Sequence, residues 1–265
     1  MTGPTHTRPT RTRRRRPRAL LAVGALALAA LASACTPAQF QRWWTDGGRA
    51  PLSEPELSML AAVATRYWDE VYRENRFSYQ VRPIDPALAA RMTPTSWRPG
   101  CPVALADLRY VRVAYMRLDG TEQIGELVVR ADVARYLEGV FQALWEEDFR
   151  FGSMQLVDDF GGDDAASMAA NNTSAFNCRA VAGTSTWSQH SYGTAIDINP
   201  VQNPYVRGTT VEPPTGAAYL DRQDVRPGML VTGGAGVNVF RFVGWGWGGD
   251  WRSAKDYQHV SRSGT

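Results

Sequence analysis

The stretch LRYVRVAYMRLDGTEQIGELVVR, residues 108–130, decides the fold of this chain. Apolar and polar residues alternate on both sides of Asp119-Gly120, a dipeptide typical of tight turns between antiparallel strands. Alternation with a period of two places the apolar side chains on one face of each strand. The stretch therefore predicts a β-hairpin and with it an antiparallel sheet.

The segments around this hairpin have other periodicities. Residues 132–147 carry apolar residues at helical spacing and predict a helix: Val133, Leu137, Val140, Phe141 and Leu144. Ser53 and Glu56 form a capping box before a second helical pattern that runs to Val71. Five prolines between Pro83 and Pro102 predict irregular structure over residues 81–104.

The C-terminal half contains shorter signals. TAIDIN, residues 194–199, and YQHV, residues 257–260, each predict a strand, and GVNVFRFV, residues 236–243, predicts a helix. Helices and antiparallel hairpins mixed in this order favour an α+β fold over a doubly wound parallel sheet. We therefore expect one α+β domain.

The formal charge of +3 originates in the N-terminus. Residues 1–34 contain seven of the 29 basic residues and no acidic one, so that 22 basic residues stand against 26 acidic ones in the remainder. We therefore expect no nucleic-acid partner. The basic run RTRRRRPR precedes about sixteen apolar or small residues, which predicts an export signal over residues 1–34 rather than a basic nucleic-acid arm. The twin arginines leave the export route open.

The end of this segment, LASAC, is compatible with two processing reactions. It resembles the lipobox of bacterial lipoproteins, in which the cysteine is lipidated, although the lipobox usually has leucine in the place of Ala32. Cleavage after Ala34 by an ordinary signal peptidase is the alternative. Three cysteines in an exported protein leave one unpaired, and lipidation of Cys35 leaves Cys101 and Cys178 as a pair. We therefore expect a lipid anchor at Cys35 and a disulfide between Cys101 and Cys178, with two buried free thiols as the alternative.

Histidine is scarce in this chain. His6 lies in the predicted export signal, which leaves His190 and His259, and Asp256 stands three residues before His259. A lone histidine is more often structural than a ligand, but both of these have acidic neighbours at workable spacing. Zinc commonly takes three ligands from His, Asp and Glu and leaves a fourth position for water. Spacing alone leaves the structural and the metal-binding interpretations open.

Asp197 is the acidic neighbour of His190. Gly193 permits a tight turn between His190 and the strand that carries Asp197. If Ile196 and Ile198 face the core, the period of two points Asp197 to the opposite face. The carboxylate is then either directed to a site or used to brace a nearby loop.

Two separated motifs together resemble a family of bacterial cell-wall peptidases. SQHSYGTAIDINPVQNPY, residues 188–205, and GWGWGGDWRSAKDYQH, residues 244–259, are similar to the zinc-dependent D-alanyl-D-alanine carboxypeptidases and L-alanyl-D-glutamate endopeptidases, which include VanY-like enzymes. The motif residues that match are Ser188, His190, Gly193, Ala195, Asp197, Asp256 and His259. The resemblance covers about residues 150–260 and does not reach residues 36–150.

The resemblance implies a role for each matching site residue. Zinc is expected on His190, Asp197 and His259, with Asp256 as the general base. The upstream FNCR resembles the place of a substrate-binding arginine and implies that role for Arg179. Where the family usually has an aromatic and often an acidic residue after the last histidine, this chain has Val260 and Ser261.

The complete prediction is an exported zinc metallopeptidase that hydrolyses peptidoglycan stem peptides, either as a carboxypeptidase or as an endopeptidase. Residues 1–34 form the export signal, residues 35–54 a polar tether, residues 55–150 a helix and hairpin extension, and residues 151–265 a peptidase core with a small antiparallel sheet that carries the zinc. We expect a monomer, anchored by lipid at Cys35 to the outer face of the cytoplasmic membrane. The alternatives are a non-catalytic wall-binding or zinc-binding lipoprotein on the same fold and a zinc-dependent amidase.

Two further stretches have two interpretations each. The acidic stretch with Asp158, Asp159, Asp163 and Asp164 lacks EF-hand spacing and predicts a solvated loop rather than a calcium site. The tryptophans of GWGWGGDW form either part of the core or an aromatic wall for substrate.

Overall fold

The computed structural model describes residues 77–265, all of which lie within one compact unit. The predictions for residues 1–34, for Cys35, for the tether and for the helix that begins at Ser53 lie outside the described residues. In the part described, the α-helices are α1 (Pro86–Met92), α2 (Ala131–Glu146), α3 (Asp164–Ala169) and α4 (Ala235–Phe242). None of these helices is long and apolar enough to cross a membrane.

Short strands and 3-10 turns make up the rest of the regular structure. The strands are β1 (Tyr79–Pro83), β2 (Leu108–Arg117), β3 (Glu122–Arg130), β4 (Arg150–Phe151), β5 (Ser153–Met154), β6 (Asn172–Thr173), β7 (Ala195–Asp197), β8 (Tyr205–Arg207), β9 (Thr210–Glu212), β10 (Gly246–Trp247), β11 (Lys255–Asp256) and β12 (His259–Ser261). The 3-10 helices are Leu105–Asp107, Val157–Phe160, Gln189–Tyr192, Pro214–Tyr219 and Gly248–Asp250. Helices and antiparallel sheets occur together, which confirms the α+β class.

The first sheet is built on the predicted hairpin. Strands β2 and β3 pair antiparallel from Leu108 opposite Arg130 to Met116 opposite Glu122, while β1 and β4 lie along β2. At the turn, the Asp119 side chain accepts hydrogen bonds from the backbone and the hydroxyl of Thr121. The hairpin prediction is confirmed.

Helix α2 packs on one face of this sheet, and it begins and ends within one residue of the predicted range. All five apolar residues that predicted it are buried: Val133, Leu137, Val140, Phe141 and Leu144. The buried stripe follows from their helical spacing, because residues three and four apart share one face.

The prediction that residues 81–104 are irregular is wrong over two segments. Pro83 is the last residue of β1, which pairs with no described strand other than β2, so the missing N–H removes no required hydrogen bond. Pro86 opens α1 at a position where a helix needs no N–H donor, and the Asp85 side chain caps the helix by accepting from Leu88 N at 2.8 Å. Both prolines occupy positions that regular structure tolerates.

The second sheet lies in the C-terminal half and has the antiparallel order β10-β12-β7. Its strands β7 and β12 confirm the predictions from TAIDIN and YQHV, and α4 confirms the helix predicted from GVNVFRFV. The outer edge of β3 meets this half of the molecule, because Phe176 N donates to Val128 O and Arg130 N donates to Gly193 O. The hairpin therefore supports the segments that precede β7.

A disulfide joins Cys101 to Cys178, as predicted from the cysteine count. It belongs to a buried apolar cluster with Met92, Leu108 and Phe176. The bond closes a loop of 77 residues and fixes the proline-rich segment to the chain just before Arg179. A cross-link over a loop of this length restricts the unfolded chain strongly.

Candidate metal centre

Two of the predicted ligands lie side by side on the second sheet. In the antiparallel register of β7 and β12, Asp197 stands opposite His259, and the two are 62 residues apart in the chain. Ile196 and Ile198 are fully buried, so alternation turns Asp197 to the opposite face, as predicted. Strand pairing therefore brings the carboxylate and the imidazole together.

The third predicted ligand, His190, lies in the 3-10 turn that precedes β7. Ser188 begins this turn by accepting from His190 N, and Gly193 ends it in the left-handed conformation with φ of 64°. A Cβ atom at position 193 would lie 2.7 Å from Arg130 N. Glycine is therefore required here both for the backbone conformation and for the close approach of β3.

His190, Asp197 and His259 could together hold one metal ion, because their ligand atoms all lie within 4.8 Å of one another. His190 Nε2 is 3.1 Å from Asp197 Oδ2, His259 Nδ1 is 3.0 Å from Asp197 Oδ1, and the two imidazole nitrogens are 3.3 Å apart. Ligand bonds of about 2.0 to 2.2 Å in a tetrahedral arrangement place ligand atoms roughly 3.3 Å apart. The spacing therefore fits a zinc ion.

The hydrogen bonds of the two histidines fix which nitrogen carries a proton. His190 Nδ1 lies 2.6 Å from Ala175 O and His259 Nε2 lies 3.3 Å from Thr265 O, and because a carbonyl oxygen only accepts, both of these nitrogens are donors. In neutral imidazoles, His190 Nε2 and His259 Nδ1 then present lone pairs toward Asp197. Three acceptors that face one another attract a cation, either a proton or a metal ion.

The ionisation of the site agrees with this arrangement. Burial opposes ionisation of Asp197, but the charge of His190 and the hydrogen bonds of both histidines hold the pKa of its carboxyl well below the usual range. Burial lowers the pKa of His259, but the hydrogen bond and charge of Asp197 outweigh burial and raise this pKa above its ordinary value. Asp197 is thus a permanent anion at neutral pH.

Asp256 lies on β11, which pairs with β8, and interacts electrostatically with all three ligands. Burial and the negative charge of Asp197 raise the pKa of Asp256 to about 7. Its Oδ1 is buried and has no hydrogen-bond partner among residues 77–265. A carboxyl group with this pKa can accept and release a proton near neutral pH, as a general base must.

Glycine also makes room for Asp256. A Cβ atom at Gly248 would lie 2.4 Å from Asp256 O and 2.8 Å from Asp256 Cβ. Lys255 holds the same turn against β11, because its Nζ donates to Gly249 O and to Trp251 O. The backbone around Asp256 is therefore tightly packed.

The outer contacts of His259 could not be predicted from sequence. Val260 is a buried core residue, and Ser261 Oγ donates to Thr265 O, the oxygen that also accepts from His259. The Trp251 ring lies 5.5 Å from the His259 ring. Thr265 and Trp251 therefore contact the outer side of this imidazole, the first by a hydrogen bond and the second by ring packing.

Arg179 lies next to the disulfide and near the backbone of the His190 turn, where Ser191 Oγ accepts from Arg179 N. Its guanidinium pairs with Asp164 at 2.6 Å, and its Nε is buried without a partner in the described part of the chain. No hydrogen bond found within residues 77–265 joins it to the three ligands. Its role in substrate binding stays a prediction.

The aspartates of the acidic stretch before β6 make contacts with other parts of the fold. Asp158 accepts from Ser96, Asp159 pairs with Arg91, Asp163 caps α3, and Asp164 pairs with Arg179. Each carboxylate thus has a protein partner, which favours a structural loop over a calcium site.

Trp245 and Trp247 are both almost completely buried, which favours core packing over a substrate wall.

Residues 182–262 match the family model of the D-alanyl-D-alanine carboxypeptidases. No curated protein and no solved structure matches the chain. The matched segment contains His190, Asp197, Asp256 and His259, whereas Arg179 lies just before it. The match supports the family that the two motifs indicated, and the similarity is confined to this segment.

Proposed function

We propose that this chain, a hydrolase whose residues 182–262 match the D-alanyl-D-alanine carboxypeptidases, is a zinc-dependent peptidase acting on peptidoglycan stem peptides. The observation that carries the proposal is the proximity of His190, Asp197 and His259: the two imidazole nitrogens are 3.3 Å apart, and each lies 3.0 or 3.1 Å from one oxygen of the Asp197 carboxylate. Two imidazoles and a carboxylate are a donor set that zinc prefers.

The chain's own residues supply the remaining parts of the reaction. When bound, zinc acts as a Lewis acid that polarises the scissile carbonyl and acidifies water. Asp256 takes the proton from the attacking water and passes it to the leaving amine, a transfer that typically contributes about 10²–10⁴-fold to the rate. Arg179 opposes the negative charge that develops on the substrate, and wall peptides carry carboxylates that an arginine can bind.

Removal of the metal tests this proposal directly. The purified protein is incubated with peptidoglycan fragments before and after treatment with a chelator, and the products are identified by mass spectrometry. Hydrolysis is expected to stop after chelation and to return when zinc is added. Hydrolysis that continues undiminished in the metal-free protein would contradict zinc dependence. Loss of a terminal D-alanine or a cut inside the stem distinguishes a carboxypeptidase from an endopeptidase.

A non-catalytic wall-binding lipoprotein is the second candidate. The Oδ1 of Asp256, which is buried and has no hydrogen-bond partner among residues 77–265, disfavours it, because a binding module needs no proton acceptor beside the ligands. Wall fragments that bind without yielding new amino termini would support this candidate instead. A zinc amidase would be recognised by release of the whole peptide from the sugar.

We also propose that the protein is exported and anchored by lipid at Cys35. The basic run, the apolar segment and LASAC in residues 1–35 support this proposal. The intact mass of the mature protein tests it, because lipidation adds a defined mass at a new N-terminal cysteine. A free thiol at Cys35 would remove the anchor.

A further inference from the structure

A three-stranded sheet of the order β11-β8-β9 carries side chains that the metal centre does not use. Tyr205 on β8 stands opposite Asp256 of β11 on one side and opposite Glu212 of β9 on the other. Directly opposite residues of an antiparallel pair point to the same face of the sheet, with their Cβ atoms about 5 Å apart. Asp256, Tyr205 and Glu212 therefore form one row on one face, about 10 Å long from end to end.

This row begins at the metal centre. Strand β11 leads within two residues into β12, the strand that carries His259. The Asp256 carboxylate also interacts electrostatically with all three candidate ligands. Exposure increases along the row, because Asp256 Oδ1 is buried, Tyr205 is half-buried and Glu212 is exposed. The row therefore runs outward from the site to the surface of the molecule.

Arg207 adds a positive charge to the same face, because it lies two residues after Tyr205 on β8. It stands opposite Thr210 and is thus a diagonal neighbour of Glu212, at a separation of about 7–8 Å. Lys255, the other basic residue of these three strands, lies on the opposite face, and its Nζ donates to two backbone carbonyls. The face therefore presents one cation and one anion beyond Tyr205.

The outer side chains of this face are available for a ligand. Within residues 77–265, the Tyr205 hydroxyl, the Arg207 guanidinium and the Glu212 carboxylate make no hydrogen bond and no ion pair. The β8–β9 turn is also open, since a Cβ atom at Gly208 would meet no atom within 4 Å. A cation and an anion that are not paired with each other can each bind a group of opposite charge on one ligand.

We propose that Tyr205, Arg207 and Glu212 form a substrate subsite for a side chain that ends in both an ammonium and a carboxylate group, as in a diamino dicarboxylic acid residue. The inference rests on the proposed function and names a substrate class for it. Glu212 binds the ammonium group, Arg207 binds the carboxylate, and Tyr205 contacts the peptide between these groups and the scissile bond. An extended residue spans about 3.3–3.6 Å, so a row of about 10 Å places the recognised residue two or three positions from the scissile bond.

Three synthetic peptides test the subsite, once mass spectrometry has located the scissile bond. They differ in one side chain, two positions from that bond, which ends in an ammonium and a carboxylate, in an ammonium alone, or in a neutral amide. The wild type is expected to have the lowest KM for the first peptide and the highest for the third. Glu212→Gln should abolish the preference for ammonium over amide, and Arg207→Gln the preference for the doubly charged side chain over the ammonium. Each variant should raise the lowest KM by about 5- to 20-fold and leave kcat within about twofold, because charge-assisted contacts at an exposed site are moderate in strength.

Glu147→Gln is the matched control, because it makes the same change of charge at an exposed residue at the end of α2. It is expected to keep the wild-type order of KM values. Equal KM values for the three peptides in the wild type would overturn the inference and leave the proposed function intact, and so would unchanged preferences in Glu212→Gln and Arg207→Gln. If the wild type hydrolyses none of the peptides, the proposed function fails instead. The Kd values of the same peptides, measured by calorimetry, then decide the subsite by the same order of preference.

Discussion

Replacement of Gly248 with alanine tests whether the backbone around Asp256 sets the catalytic geometry. The added Cβ would lie 2.4 Å from Asp256 O and 2.8 Å from Asp256 Cβ, whereas ordinary contacts begin at about 3.4 Å. One of the two segments must therefore move by about 1 Å. Because Lys255 holds the Gly248 turn against β11, the turn cannot move away without breaking its bonds to Gly249 and Trp251.

The size of the effect follows from this displacement. A misplacement of about 1 Å at a catalytic group can cost about 100-fold in rate, and overpacking of a filled interior costs typically 1–3 kcal/mol. For Gly248→Ala we expect kcat to fall about 100-fold and the free energy of unfolding to fall by about 1–3 kcal/mol. Zinc affinity should change much less, because the three ligands lie on β7, β12 and the His190 turn.

The assay is steady-state hydrolysis of peptidoglycan fragments, with urea unfolding and competition for zinc by a chelator. Gly139→Ala is the matched control, because a Cβ at this exposed position of α2 meets no atom within 4 Å. This control is expected to keep the wild-type kcat and to have a free energy of unfolding about 0.5–1 kcal/mol higher, because alanine is more favourable than glycine inside a helix. The reasoning is refuted if Gly248→Ala retains both the kcat and the stability of the wild type.

Three further changes have defined outcomes. Asp256→Asn should retain zinc affinity and lose about 10²–10⁴-fold in kcat, and full activity would exclude Asp256 as the base. Cys101→Ser should lower the free energy of unfolding by about 2–5 kcal/mol in urea, and no difference from the oxidised wild type would contradict a structural role of the disulfide. The hydrogen bond and charge of Arg130, together with Arg262, lower the pKa of Asp132 to about 2. The ionised carboxylate therefore stabilises the fold above about pH 4, and this stabilisation is lost as the pH falls from about 4 to about 2. Because Asp132 and its two arginines are partly exposed, Asp132→Asn should lower the free energy of unfolding by less than about 1 kcal/mol at pH 7 and should leave it unchanged near pH 2. A difference in the free energy of unfolding that persists at pH 2 would contradict the ionic role of Asp132.

Much of the fold was predictable because its longest elements have clear periodicity. The hairpin and α2 are read directly from alternation and helical spacing, and the buried residues of α2 are those that predicted it. The prediction of irregular structure over residues 81–104 was wrong at β1 and α1, because the effect of proline depends on its position in an element. Proline is excluded from the interior of a helix or sheet, but it is accepted at the first turn of α1 and at the end of β1, a strand whose outer edge pairs with no strand in the part described.

The proximity of the three candidate ligands was predictable for a different reason. His190 and Asp197 belong to one short motif, but the pairing of Asp197 with His259 spans 62 residues and was indicated by family resemblance rather than by periodicity. The contacts that orient the ligands, from Ala175 O and Thr265 O, are backbone atoms and leave no signal in residue types.

The register of β7 and β12 has a practical consequence for anyone who prepares this protein. A slip of one residue between these strands would carry His259 to the opposite side of the sheet from Asp197 and abolish the cluster. Under the proposed function, only molecules with correctly aligned strands can take up the zinc ion tightly. The stoichiometry of zinc uptake would then measure the fraction of natively folded chains in a sample. The quality of refolded protein could be assessed in this way before a substrate is identified.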